Sequence, residues 1–262
     1  MIVKKDMNIG PCPHVSSILN KIKELGPSYA IYQEPIHNDK VLRDLIRKGY
    51  KIESLDYFKD NNNFKAITPA HGITLDEERI FKKGKYEDLT CPIIRKTYKE
   101  LENHKELKYG IIGDFNHREV KVILDRFKNV IYISNIEMAS LLNLDCIIFQ
   151  STYSPLEAKK LLEHKELHLV NTLCPFVKKR FDSLGKISED MIIVITDKKS
   201  ANGKRIYEAA KLLNPKKEVY QISELKDLKK FDLDGVDSCY LTSATSVPNE
   251  LVNQIEEYLK MR

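Results

Sequence analysis

The tetrapeptide Cys12-Pro13-His14-Val15 begins a pattern that returns as Cys91-Pro92-Ile93-Ile94 and as Cys174-Pro175-Phe176-Val177. In each copy a Cys is followed by Pro, by an apolar position two or three residues after the Cys, and by a segment of helical periodicity. The copies lie about 80 residues apart, a plausible size for a small domain. This repeat predicts three similar units, each presenting one Cys-Pro turn to a common centre. The predicted units are 1–91, 92–173 and 174–262.

Between the repeats, short β-branched runs alternate with longer Lys- and Glu-rich segments of helical period. This alternation is typical of an α/β protein. Nearly every run ends in a polar or small-residue turn, and in open α/β sheets that edge binds ligands. The predicted strands are 29–32, 65–68, 109–113, 130–133, 146–149, 168–171, 191–196, 218–222 and 238–242.

The composition of the 262-residue chain is that of an ordinary globular protein, with 42% hydrophobic and 31% charged residues. Its strongest apolar run, Met191–Ile195, is far shorter than the roughly 20 residues of a membrane span. The N-terminal stretch also lacks the apolar region of a secretory signal, so we expect a cytoplasmic protein with no membrane partner. The net charge of +5 is spread along the chain. It suits a small anionic substrate and lacks the concentrated basic surface of a nucleic-acid binder.

The Cys-Pro pairs favour metal binding. Proline is preferred at the first helical position, so each preceding Cys falls at the N-cap, where helix amides stabilise a thiolate. Cys12, Cys91 and Cys174 are distant in sequence, whereas zinc sites more often use closely spaced Cys or His pairs. A [4Fe–4S] cluster fits better, and because it normally takes four Cys ligands, three leave one iron open for substrate. The alternative is that these cysteines precede proline by chance and are buried.

The two remaining cysteines, Cys146 and Cys239, lie inside apolar strand-like runs. Cysteine behaves there as a small hydrophobic residue, so we predict that both belong to the core.

Three histidines, His37, His71 and His117, each follow a strand-like run. Each one alone is as consistent with a structural histidine as with a ligand-binding one, but three in equivalent turns favour a shared site that holds an anion and passes protons. Glu119 lies two residues after His117 and is a candidate proton donor. Its alternative role is that of a carboxylate favoured by the N-terminus of a helix.

Hydroxyl and amide side chains close three further strands. Ser200-Ala201-Asn202-Gly203 precedes a helix, a place where backbone N–H groups and hydroxyls receive phosphate. Gln150-Ser151-Thr152 and Thr245-Ser246-Val247-Pro248 have the same character. Helix capping and turn formation are the alternative roles of all three segments.

Taken in order, these motifs resemble the 4-hydroxy-3-methylbut-2-enyl diphosphate reductase family (LytB/IspH). The resemblance runs through nearly the whole chain, and the ordered set is more specific than any single motif. Its elements are Cys12, His37 in IHN, His71 in AHG, Thr90-Cys91-Pro92, His117 and Glu119 in HREV, Gln150-Ser151-Thr152, Cys174, the SAN turn at 200–202 and the SVP turn at 246–248.

The resemblance implies an α/β trefoil of three pseudo-symmetric units around a central iron–sulfur cluster. It implies an oxidoreductase of isoprene biosynthesis that removes the allylic hydroxyl of 4-hydroxy-3-methylbut-2-enyl diphosphate, giving isopentenyl and dimethylallyl diphosphate. The implied metal ligands are Cys12, Cys91 and Cys174. The implied catalytic residues are Glu119 as proton donor, His117 and Ser151. The implied substrate-binding residues are His37, His71, His117, Ser151, Thr152, Ser200, Asn202 and Ser246.

The sequence departs from the family pattern at three places. The turn 10–14 carries Pro and His where the family has a glycine-bearing turn, the segment 175–180 lacks the usual Thr and Arg-Gln pair, and Ala201 replaces a common serine. Two alternatives therefore stay open: a divergent paralogue acting on a different small anionic substrate, and a non-catalytic cluster redox sensor. No GxGxxG fingerprint follows a strand, so we expect electrons from an external donor such as ferredoxin or flavodoxin.

Overall fold

A computed structural model describes residues 1–161 and 168–262. Within these residues strands and helices alternate, as the sequence predicts. The strands are β1 Ile2–Lys5, β2 Ala30–Tyr32, β3 Ile52–Glu53, β4 Lys65–Ile67, β5 Lys85–Glu87, β6 Tyr109–Ile112, β7 Val130–Tyr132, β8 Cys146–Phe149, β9 His168–Leu169, β10 Met191–Ile195, β11 Glu218–Ile222 and β12 Ser238–Ser243. The α-helices are α1 Pro13–Leu25, α2 Asp39–Arg47, α3 Leu55–Asp60, α4 Leu75–Phe81, α5 Pro92–Asn103, α6 Arg118–Arg126, α7 Glu137–Leu141, α8 Pro155–Leu161, α9 Pro175–Leu184, α10 Ala201–Leu213 and α11 Asn249–Lys260, and a 3₁₀ helix spans Leu225–Lys230.

The strands form three four-stranded sheets in which every neighbouring pair is parallel. The first has the order β3-β2-β4-β5 and the second the order β7-β6-β8-β9. The third, read from its opposite edge, has the order β11-β10-β12-β1. The same strand order therefore recurs three times, with β1 from the N-terminus occupying the fourth position of the third sheet. This recurrence confirms three α/β units.

All nine predicted strands are present, whereas β1, β3 and β5 were missed. The three missed strands all lie at sheet edges. They are only two to four residues long and include charged side chains, with the sequences IVKK, IE and KYE, so they lack the apolar run that marks a strand. By contrast, β8 and β10 lie inside their sheets and are buried at every position, which is typical of parallel strands covered on both faces.

The chain divides into two compact units by internal packing. Unit A comprises Met1–Ser16, His37–Val41 and Pro175–Arg262, and it contains the third sheet. Unit B comprises Ser17–Ile36 and Leu42–Cys174, and it contains the first two sheets. The boundaries predicted at residues 91 and 173 stay a prediction.

The core positions predicted for Cys146 and Cys239 are confirmed. Cys146 packs with Tyr109 and Ile148 in the core of the second sheet, and Cys239 packs with Leu241 in that of the third. Burial raises the pKa of the Cys239 thiol to about 12 and also raises that of Cys146. Both sulfurs therefore stay protonated at neutral pH, unlike a metal-binding thiolate.

Among the described residues, no helix is both long and apolar enough to span a membrane.

Candidate functional site

The three Cys-Pro turns all begin helices. α1, α5 and α9 start at Pro13, Pro92 and Pro175, so each preceding cysteine stands at the helix N-terminus as predicted. In the first turn the amide of Val15 donates a hydrogen bond to Cys12 Sγ over 3.4 Å. All three cysteines are half-buried and none forms a disulfide. Helix amides that point at sulfur favour the thiolate, which is the form that binds metal.

The backbone amides of these three cysteines share an arrangement that the sequence did not reveal. Cys12 N donates to Thr245 O over 3.1 Å, next to Ser246, and Cys91 N donates to Ala70 O over 2.9 Å, next to His71. Cys174 N donates to Ser151 O over 2.8 Å. Each cysteine is thus tied to a turn that carries a predicted substrate-binding residue.

Glu119 is the best-defined acidic group of the site. It is only 2% exposed, and its two carboxylate oxygens accept hydrogen bonds from Ser151 N (2.6 Å) and Ser151 Oγ (2.7 Å). His117 caps α6, its Nδ1 accepting from Glu119 N over 3.2 Å. The neutral His117 ring therefore carries its proton on Nε2. The His71 ring stands perpendicular to that of His117, with centroids 5.2 Å apart. Unit B thus brings four predicted residues together.

The hydroxyl of Thr152 is oriented by Gln150, which is fully buried. Gln150 Nε2 donates to Thr152 Oγ1 over 2.8 Å, while Gln150 Oε1 accepts from Asp114 N over 2.9 Å. A Cβ at Gly113 would lie 2.7 Å from the Gln150 side chain, so glycine is required for this close approach. Gln150 thereby links the turn after β8 to the turn after β6.

In unit A, two predicted phosphate-binding side chains carry buried polar atoms that lack a protein partner. Ser246 Oγ and Asn202 Oδ1 are buried and, within residues 1–161 and 168–262, accept or donate no hydrogen bond. Asn202 Nδ2 donates to Thr245 Oγ1 over 3.2 Å. Leaving such a group unpaired costs about 1–3 kcal/mol, so a polar ligand is expected there. With the amide turned over, Asn202 would present N–H groups to an anion.

Ser200 has the capping role that was its alternative. It is the N-cap of α10, where its Oγ accepts from Gly203 N over 3.1 Å. The hydroxyl keeps its own proton for donation to a further acceptor. A Cβ at Gly203 would fall 1.5 Å from Thr196 Oγ1, so only glycine allows this helix start to pack on β10.

The turn that contains His37 is held by its two neighbours. Asn38 Nδ2 donates to Ser246 O over 3.1 Å, and its Oδ1 accepts from Val41 N over 3.1 Å. Asp39 N donates to Asp197 Oδ2 over 2.9 Å. His37 is therefore fixed beside the turn of Ser246. Asn38 was not among the predicted site residues, although it directly follows the histidine in the IHN motif.

Arg180, which is 1% exposed, is a second residue that was not predicted for the site. Its Nη2 donates to the carbonyls of Asn8 and Gly10 at 2.5 Å each. Gly10 has φ of +87°, and a Cβ there would meet Asn249 Oδ1 at 2.3 Å. Arg180 thus fixes the turn that leads into Cys12. Its basic, apolar surroundings in the sequence gave no signal of that role.

Known proteins match this chain along nearly its full length. The profile of the family described as LytB protein matches residues 6–260. The 4-hydroxy-3-methylbut-2-enyl diphosphate reductase of Dictyoglomus turgidum is 30% identical over 93% of this chain and 90% of its own length, and that of Nitratiruptor is 27% identical over 92% of each.

Two solved structures share the fold. The E-1-hydroxy-2-methyl-but-2-enyl-4-diphosphate reductase of Plasmodium falciparum superposes with a TM-score of 0.87 at 23% identity, covering 99% of this chain and 88% of that one. A structure of (E)-4-hydroxy-3-methyl-but-2-enyl diphosphate reductase superposes with a TM-score of 0.70 at 22% identity and full coverage of both chains. These likenesses confirm the predicted α/β trefoil fold. Together with the match of the family profile, they show that the chain belongs to the LytB protein family.

Proposed function

We propose that this protein is a [4Fe–4S]-dependent oxidoreductase of isoprene biosynthesis. It removes the allylic hydroxyl of 4-hydroxy-3-methylbut-2-enyl diphosphate and gives isopentenyl and dimethylallyl diphosphate. The observation that carries this proposal is the bonding of each cysteine amide to a turn with a candidate substrate-binding residue. A chain that only stores or senses electrons has no need to tie its metal ligands to such turns. The proposed location is the cytoplasm.

The donor chemistry of the three Cys-Pro turns fits an iron–sulfur cluster. Cys12, Cys91 and Cys174 each stand at a helix start, and Cys12 Sγ already accepts an amide hydrogen bond, as thiolates bound to iron commonly do. The two core cysteines have thiols with raised pKa and are not proposed as ligands. Bound by three thiolates, the cluster supplies reducing electrons and an open, Lewis-acidic iron.

Glu119 is proposed to deliver the proton that the departing hydroxyl needs. Replacing the hydroxyl by hydrogen consumes two electrons and two protons and releases one water, so a proton donor must face the oxygen. Both Glu119 oxygens are fixed by Ser151, which holds the carboxyl in one orientation. The electrons come from an external donor such as ferredoxin or flavodoxin. His117, with its proton on Nε2, is proposed to contact the substrate beside this path.

The diphosphate is proposed to bind through imidazole, hydroxyl and amide donors. Ser246 and Asn202 supply buried polar atoms that the protein itself leaves unpaired within the described residues. The Ser246 hydroxyl is such a donor, and Asn202 becomes one when its amide is turned over so that N–H groups take the place of Oδ1. Immobilised donors bind an anion without a further cost of ordering. The remaining proposed diphosphate contacts come from His37, His71 and Ser200, with His117 near both the diphosphate and the proton path. Ser151 is proposed to contact the substrate hydroxyl, and Thr152 is a further proposed substrate-binding residue.

Substituting the unpaired groups is expected to weaken binding more than turnover. For Ser246→Ala and Asn202→Ala we expect KM for the diphosphate to rise about tenfold each, because one hydrogen bond to a charged group is lost. Steady-state kinetics under anaerobic conditions measure this. Asn214→Ala is the matched control, since that buried Asn caps the C-terminus of the helix that contains Asn202, and its side chain donates to Leu184 O and Ala210 O. If KM stays unchanged in both site variants, Ser246 and Asn202 do not contact the substrate.

The overall function is tested by turnover. Protein reconstituted anaerobically with iron and sulfide, and given a reduced donor, is expected to convert 4-hydroxy-3-methylbut-2-enyl diphosphate into the two five-carbon diphosphates. A strong cluster signal without any turnover would favour the divergent relative that acts on another small anion. One observation favours that alternative: α10 begins with Ala201, so its first turn lacks a hydroxyl there.

A further inference from the structure

Arg118 stands between His117 and Glu119 at the first position of α6, and its guanidinium binds three acceptors. Its Nε donates to Gly72 O over 3.1 Å, its Nη1 to Gln33 Oε1 over 2.8 Å, and its Nη2 to Glu77 Oε2 over 2.6 Å. The side chains of Arg118 and Glu77 are only 19% and 9% exposed. A planar guanidinium is suited to such a fixed fork of acceptors.

The acceptors of Arg118 are themselves held in place. Glu77 Oε1 accepts from the Tyr32 hydroxyl over 2.5 Å, and Glu77 Oε2 accepts from Thr74 N over 2.8 Å within a capping box. Burial and the neighbouring Glu77 raise the pKa of Tyr32, so the phenol remains a donor at neutral pH. Gln33 has φ of +57°, a conformation that a non-glycine residue keeps only when its surroundings fix it.

The Gly72 carbonyl belongs to the turn that carries His71. Gly72 has φ of +84°, and a Cβ there would lie 2.3 Å from the Tyr98 hydroxyl, so the position admits no side chain of its own. Contacts that fix the turn at this position must therefore be made to its backbone. Among the bonds described for Gly72 O, the one that reaches the start of α6 is the bond from Arg118.

We propose that Arg118 is a positioning residue, which locks the turn of His71 to the helix start that carries His117 and Glu119. The inference rests on the proposed function, because it assigns Arg118 a task in presenting those groups to the diphosphate and the hydroxyl. The 5.2 Å spacing of the His71 and His117 rings is the geometry that this clamp maintains. Arg118 acts through its neighbours and does not touch the substrate.

Arg126 provides a matched control on the same helix. It is also 19% exposed, its Nη1 donates to Ile73 O over 3.0 Å, and it pairs with Glu78 Oε2 over 2.8 Å. It lies in the last turn of α6, far along the helix from Glu119. Loss of Arg126 removes an ion pair and a backbone bond of the same kind while leaving the start of α6 unchanged.

The experiment compares Arg118→Met and Arg118→Lys with Arg126→Met and Arg126→Lys in the reconstituted holoprotein. We expect both Arg118 variants to lower kcat about 10- to 100-fold, because small displacements of reacting groups have effects of this size. We also expect both to weaken binding of inorganic pyrophosphate, measured by calorimetry, at least about fivefold. Lysine is not expected to restore kcat or pyrophosphate affinity, since one ammonium group cannot reproduce the planar set of N–H donors that the guanidinium offers to its three acceptors. Both Arg126 variants are expected to lower the melting temperature and leave kcat and pyrophosphate affinity within about twofold.

Two results would overturn the inference. If Arg118→Lys has the kcat and pyrophosphate affinity of the wild type, only the charge of Arg118 matters. If the Arg118 and Arg126 variants lose kcat and pyrophosphate affinity equally, Arg118 contributes only to general stability. If Arg118→Met does not fold, the milder Arg118→Lys decides between these outcomes. If the wild-type protein itself fails to turn over, the proposed function is wrong, and pyrophosphate affinity still decides whether Arg118 acts differently from Arg126.

Discussion

Glu119→Gln is expected to lower kcat about a thousandfold, the middle of the range for losing a general acid. Glutamine keeps the size and can still accept from Ser151 N, while its amide group would donate to Ser151 Oγ where the carboxylate accepts. The change therefore removes the transferable proton with little change in shape. KM is expected to change much less, because the proposed diphosphate contacts lie on other residues. Anaerobic single-turnover kinetics measure the chemical step directly.

The control for this variant is Glu189→Gln. Glu189 is another buried glutamate, 8% exposed, and it bonds to Ser188 and Lys4 in unit A, outside the proposed site. Its replacement should leave kcat within about twofold. Glu119→Gln protein with a full cluster and normal turnover would show that Glu119 is not the proton donor, and would revive the alternative of a redox sensor that tolerates the change.

Replacing any one of Cys12, Cys91 or Cys174 by Ser is expected to abolish turnover and to reduce the iron content of the purified protein severely. A cluster held by only two thiolates loses both ligand bonding and protection from solvent. Iron and sulfide analysis after anaerobic reconstitution measures the loss. The physical basis is the helix N-terminus at each Cys-Pro turn, which stabilises thiolate at these three positions.

The control variants are Cys146→Ala and Cys239→Ala. Both side chains are packed in the cores of their sheets, so each change should destabilise the fold by about 1–2 kcal/mol through lost packing. Iron content should stay at the wild-type level. If instead a core variant lost iron while a Cys-Pro variant retained it, the assignment of the ligands would be wrong.

The sequence predicted those features of the fold that depend on local chemistry. Proline after each Cys placed the three helix starts correctly, and the apolar runs of β8 and β10 identified inner strands. The edge strands β1, β3 and β5 were missed because they are only two to four residues long and include charged side chains. The pairing of β1 with β12 could not be predicted from the sequence either, because strands from opposite ends of the chain share no local sequence pattern that indicates their pairing.

In the candidate site, too, residues with a local sequence signal were predicted, and residues that depend on tertiary packing were missed. Its imidazoles, hydroxyls and carboxylate were found from motifs at strand ends, and the structure brings His71, His117, Glu119 and Ser151 together in unit B. The residues that hold them were missed, since their partners are distant in sequence. Arg118 binds Glu77 and Gln33, which lie 41 and 85 positions away. Such bonds depend on tertiary packing, which sequence periodicity does not encode.

The proposed cluster with three thiolate ligands and one open iron is tested by a Mössbauer spectrum of protein reconstituted with ⁵⁷Fe, recorded with and without 4-hydroxy-3-methylbut-2-enyl diphosphate. Three thiolate ligands leave one of four irons able to meet the substrate. We therefore expect one quarter of the iron signal to differ from the rest and to change when the substrate is added. Four irons that are alike and insensitive to the substrate, or protein that takes up no iron, would contradict the account.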